Sequence, residues 1–162
     1  VASSPTEVVL WREAAHGMTV AQVKAAYPTA TAPEGKPNAM DNGATVLLTV
    51  PGVEVVGRPF KADFFFLNDK LIAVELQPSP LLGMPESEAA YEMIGDALRS
   101  KYGAAFKNDD TDKLGLVIRT GIWRNGDADI RTFLAGNKGE AKSRGHLTVT
   151  YSTRLSDTAA AL

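Results

Sequence analysis

Two alternating stretches, 60–67 and 71–77, flank Asn68-Asp69-Lys70, and this pattern limits what the chain can fold into more than any other. Successive side chains of a strand point to opposite faces, so Phe60, Ala62, Phe64 and Phe66 share one side of the first stretch. Ile72, Val74 and Leu76 share one side of the second. Asn and Asp tolerate the left-handed backbone that a tight hairpin turn demands. An antiparallel hairpin with one core face is therefore expected, and the rest of the chain must supply what covers that face.

More strands are expected around it. Residues 45–50 alternate, Pro51-Gly52 reads as a turn, and 53–56 continue in β-favouring residues. Stretches 116–123, 128–134 and 146–153 read the same way, with Asn125-Gly126 turning the first pair. Two helices stand out. Thr19 with Gln22 three residues later forms a capping box, Val20, Val23 and Tyr27 share a face, and Pro28 ends the helix. Between 85 and 102, Tyr91, Ile94, Leu98 and Tyr102 form an apolar stripe that Met93 and Ala97 widen, and Gly103 supplies the stop.

Near the start, Ser4-Pro5-Thr6-Glu7 repeats the capping logic and Val8, Trp11 and Ala15 recur at helical spacing up to Gly17, which predicts a further short helix. Val8-Val9-Leu10-Trp11 also suits a strand. Residues 29–43, rich in Pro, Gly, Ala and Asn, read as a long loop, and 107–112 as a polar one. The last residues, 157–162, carry no pattern and are expected to fray. The fold class is α+β: one domain over 1–162, an antiparallel sheet of six or seven strands with two main helices packed on one face. Helix, loop and hairpin occur in that order twice, over 4–79 and 85–155, as two tandem repeats would.

Gly17-Met18-Thr19-Val20-Ala21-Gln22-Val23 resembles the opening of the small bacterial envelope proteins grouped with β-lactamase inhibitory protein and the outer-membrane lipoprotein small protein A (BamE-like). The resemblance extends to the phenylalanine-rich strand with its partner Leu71-Ile72-Ala73-Val74-Glu75-Leu76, to Leu98-Arg99-Ser100-Lys101-Tyr102-Gly103, and to Leu147-Thr148-Val149-Thr150-Tyr151. It implies one helix followed by antiparallel strands, twice over, and a binding or assembly role without catalysis. It also implies a periplasmic or secreted location. The small residues of Val1-Ala2-Ser3-Ser4-Pro5 suit a signal-peptide remnant and equally an arbitrary chain start.

Composition narrows the classes of function. A net charge of −2 and scattered rather than clustered Lys and Arg give no basic field for a nucleic-acid backbone. No apolar run reaches the ~18–20 residues that span a bilayer. The chain has no cysteine, hence no disulfide, thiolate metal site or thiol nucleophile. His16 and His146 lie far apart and outside any metal-binding spacing, so neither a metal nor another cofactor is expected. Asn108-Asp109-Asp110-Thr111-Asp112 begins like a calcium loop, but Lys113 takes the place of its glycine and Arg119 that of its bidentate glutamate. Residues 136–143 approach a phosphate loop, yet a strand rather than a helix follows. Asp63 and Glu75 should share a face of the hairpin, where an exposed pair is expected rather than an acid–base site.

The remaining signal is what the strands expose. With Phe64, Ile72, Ile118, Ile122, Ile130, Val149 and Tyr151 turned to the helices, alternation places Lys61, Asp63, Phe65, Glu75, Arg119, Trp123, Arg131, Phe133, Thr148 and Thr150 on the other side. Aromatic rings beside arginines are the residue mix of protein interfaces. The expected function is therefore non-enzymatic binding of a protein partner, with Phe65, Trp123 and Phe133 as anchors and Arg119, Arg131, Lys61 and Glu75 setting orientation. Alternatively the 29–43 loop covers these rings. A small-molecule or lipid carrier, with its ligand between that loop and the sheet, is the rival function, and an enzyme of unfamiliar type the third.

Overall fold

The computed structural model describes residues 8–36, 38–138 and 144–153. In chain order these form β1 (Val9–Trp11), β2 (Ala14–Ala15), α1 (Val20–Ala26), β3 (Thr45–Val55), β4 (Arg58–Leu67), β5 (Lys70–Pro78), α2 (Met84–Tyr102), β6 (Lys107–Lys113), β7 (Leu116–Asn125), β8 (Ala128–Asn137) and β9 (His146–Thr153). The fold is α+β. β1 and β2 pair with each other, and the other seven strands form one antiparallel sheet in the order β3-β4-β5-β9-β8-β7-β6.

Local chemistry sets the hairpins. Asn68 and Asp69 both adopt positive φ, 52° and 58°, and Leu67 pairs with Lys70 across them, so β4 and β5 are joined by the two-residue turn whose twist suits antiparallel strands. Thr19 caps α1 as a full capping box: its Oγ1 accepts from the Gln22 N–H, and Gln22 Oε1 accepts from the Thr19 N–H. Gly103, at φ 85°, ends α2 with its N–H on the Arg99 carbonyl.

One face of the sheet packs on both helices. Phe60, Phe64, Phe66, Leu76, Ile130 and Val149 meet Val23 of α1 and Ala90, Ile94 and Leu98 of α2 in a single core. Trp11 and Tyr27 stack at 5.7 Å between ring centroids, and both lie against Phe64, at 6.1 and 5.2 Å. A smaller cluster lies on the opposite face, where Phe65, Val46, Ala44, Ile72 and Ala73 pack under Met40.

Four local expectations are corrected. Described residues 8–17 form the β1–β2 hairpin rather than a helix; the hairpin carries Leu10, Trp11 and Ala14 into the core, whereas a helix so short is marginal by itself. Ser4–Glu7, 139–143 of the phosphate-loop-like stretch and 157–162 lie outside the described residues. Pro51-Gly52 is a bulge within β3 rather than a turn. β3 is an edge strand, where a missing proline N–H removes no ladder bond, and Gly52 takes φ 69°. The polar stretch from Lys107 is the edge strand β6, exposed throughout, so burial leaves no alternation in it. Met93 and Ala97 do not widen the buried stripe of α2: both are exposed. The 29–43 stretch is a loop as expected, pinned to β3 by Thr31↔Thr49 and Ala39↔Thr45 bridges. No described helix is long and apolar enough to cross a membrane.

Candidate binding face

Residues directly opposite one another on paired strands share a face, so register decides which side chains stand on the face turned away from the helices. A single row crosses all seven strands there: Thr49, Asp63, Glu75, Thr150, Arg131, Ile122 and Lys107. A second row runs Thr148, Phe133, Thr120 and Asp109.

This register corrects several expected placements. Asn125 pairs with Ala128 across a Gly126-Asp127 turn, which puts Trp123 opposite Ile130 and therefore on the helix face. Trp123 is 2% exposed and its Nε1 donates to the Gly103 carbonyl at 3.1 Å. Arg119 shares that face, half-buried, with Nη1 3.9 Å from Glu92 of α2. Ile118 and Ile122 move the other way, onto the face away from the helices. Ile72 moves too: the bulge in the β4–β5 register gives Leu71 the core position, and Ile72 joins the opposite cluster. Phe65 is on the expected face but 3% exposed, covered by Met40 and Ala44 as the covering-loop alternative foresees for this half of the sheet.

The two halves of the face are therefore unlike. Over β3–β5, Thr31, Pro33, Glu34, Lys36 and Asn38 border a cavity of about 680 Å³ whose lining also includes Thr49, Lys61 and Asp63. Over β6–β9 lies a depression of about 430 Å³ whose border, among the described residues, comes from those four strands, with Phe133, Ile122, Arg131, Lys107, Thr148 and Thr150 among them. Phe133 is half-buried and meets His146 edge-on at 5.7 Å. Asp129, buried, sits 3.7 Å from Arg124 Nε and 3.9 Å from Arg131 Nη2, so it holds the guanidinium of an Arg131 side chain that is still about half exposed.

Asp63 and Glu75 do pair across the strands, but Asp63 is buried, contrary to the exposed pair expected. Thr49 Oγ1 donates to it at 2.8 Å and Gln77 Nε2 at 3.4 Å, with Lys61 Nζ at 3.9 Å. Nothing in the sequence marks this burial, because the cover and the donors come from other elements. Burial, and then the Asp63 charge, push the Glu75 carboxyl above its usual value against a smaller opposing pull from Lys61. A carboxyl whose folded-state pKa is raised favours folding while protonated; that contribution is complete below the unfolded pKa and is lost as pH rises through the folded one. Glu75→Gln should therefore be more stable than the wild type at neutral pH, and the difference should shrink on acidification towards pH 4, as read by urea denaturation at the two pH values.

Among the described residues no three His, Asp or Glu side chains converge as a metal site would require. No family model, characterised protein or solved structure matches this chain.

Proposed function

We propose that this is a non-enzymatic protein-binding module of the bacterial envelope or of secreted fluid, and that it engages its partner through the β6–β9 half of the face away from the helices. The observation that carries this reading is the depression of about 430 Å³ bordered, among the described residues, by strands alone, with Phe133 and Ile122 beside the exposed cations Arg131 and Lys107. An aromatic and a branched aliphatic side chain within a charged rim are what an interface centre needs. Phe133 and Ile122 are the anchors and Arg131 orients the partner, with Lys61 and Glu75 at the margin of the same face. Trp123 and Arg119 act from the helix side as support, and Phe65 ties down the 38–44 stretch. The envelope location rests on the resemblance of the Gly17–Val23 segment to secreted and periplasmic binding proteins.

A photo-crosslinking side chain at 133 or 122 should capture one discrete partner from the source organism's envelope fraction, and the same group at the exposed helix position 93 should not. Equal capture from all three positions would remove the face from the account. The cavity lined by Thr31, Glu34, Lys36, Thr49, Lys61 and Asp63 supports a second reading, a carrier of a small polar ligand. That reading requires capture to be replaced by a ligand that co-purifies and is lost on substituting Asp63.

A further inference from the structure

The β6–β7 turn carries a leucine where such turns favour Asn or Gly. Leu114 takes φ 54° and Gly115 φ 82°, with Lys113 paired to Leu116 across them. A branched side chain in the left-handed region is strained, and strain of this kind persists where the position serves something other than folding. Leu114 is 107% exposed and Leu116 44%, so neither ring nor aliphatic neighbour shelters the apex.

Three cations lie at the same end of the sheet. Lys113 stands beside Leu116, and the Lys138 N–H donates to the Gly115 carbonyl at 2.7 Å. Arg144 bridges to Gly83, and the Gly145 N–H meets the Leu82 carbonyl, which brings exposed Leu81 to the same end of the sheet. Lys113, Lys138 and Arg144 are all exposed, and none forms an ion pair with another described residue. Asp112, next to Lys113, alternates to the α2 side of β6. In a chain of net charge −2, three exposed cations that form no ion pair with an acidic side chain among the described residues share one end of the sheet with an apolar apex.

We propose that this end of the molecule docks on a bilayer surface containing anionic lipid, with Leu114 entering the acyl boundary and Lys113, Lys138 and Arg144 meeting the phosphates. The order along the hairpin, apolar residue at the tip and cations one step behind, matches the depth order of acyl chains and headgroups. A narrow convex apex suits a deformable lipid layer better than a preformed protein pocket. Neither part suffices: a single leucine holds weakly, and three cations hold only at low salt.

The test is sedimentation of the whole chain with vesicles of phosphatidylcholine, with and without phosphatidylglycerol. The wild type should sediment with the anionic vesicles alone and be released by salt. Leu114→Asn relieves the backbone strain, so its melting temperature should equal or exceed that of the wild type, while binding falls at least about fivefold, the loss expected for one partly inserted leucine. Lys113→Glu with Lys138→Glu should abolish it. Failure of the wild type to sediment with anionic vesicles overturns the proposal, as does equal binding by Leu114→Asn, which would leave charge as the sole attraction.

Discussion

Replacing Trp123 with alanine should lower the stability of the isolated protein by ~3–5 kcal/mol, the cost of emptying a large core site. The indole is almost fully enclosed between the sheet and α2, and it lies against Gly121 so closely that a Cβ there would come within 2.7 Å of Cζ3. Its removal leaves a cavity and also strips the Gly103 carbonyl at the end of α2 of a donor. Trp123→Phe keeps most of the packing and loses the hydrogen bond, so it should cost less, ~0.5–1.5 kcal/mol more than the packing change alone. Urea denaturation of the two variants separates these contributions. An alanine variant as stable as the wild type would return Trp123 to the surface role that alternation alone suggests.

Phe64→Ala should cost a similar ~3–5 kcal/mol, at the upper end of that range. Phe64 is fully buried at the centre of β4 and meets both Trp11 and Tyr27, so one ring holds the β1–β2 hairpin and the end of α1 to the sheet. Tyr27 adds a bond from its hydroxyl to the Trp11 carbonyl at 3.2 Å, and that bond depends on the stack remaining in place. The variant should therefore also expose the β1–β2 segment to protease at denaturant concentrations where the wild type resists cleavage. A loss below ~1.5 kcal/mol, typical of tolerated hydrophobic swaps, would show that the cluster repacks.

What the sequence reveals here divides by the range of the interaction involved. The Thr19 cap, the Asn68-Asp69 turn and the Gly103 stop are decided within a few residues, and each is legible. β6 is not, because an exposed edge strand is held by its backbone pairing to β7 and carries no burial pattern. The phase of β7 is ambiguous by alternation, since Val117, Ile118, Ile122 and Trp123 place apolar groups on both parities. Pairing decides it: the turn that sets Asn125 against Ala128 forces Trp123 to stand with Ile130.

The candidate site suffered for the same reason. Of the three rings expected on one surface, Phe133 alone remains there with partial exposure, while Trp123 is in the main core and Phe65 is covered from a distant part of the chain. Arg131 and Phe133 were legible because Ile130 and Leu134 fix the core parity of β8 and leave both of them on the other. The burial of Asp63 was not, because it depends on Thr49 and Gln77 from neighbouring strands and on residues such as Thr31 and Pro33 that line the same cavity.

The proposed function requires that the β6–β9 half of this face be open in the isolated protein and available to a partner. The chain has no cysteine, so a single thiol introduced at one position reports that position alone. Labelling rates of Ile122→Cys and Phe133→Cys under native conditions, compared with Val117→Cys on the helix face, show whether that half is open. An open face gives rapid labelling at 122 and 133, with labelling at 117 limited by unfolding. Protection at 122 and 133 as strong as at 117 would contradict it.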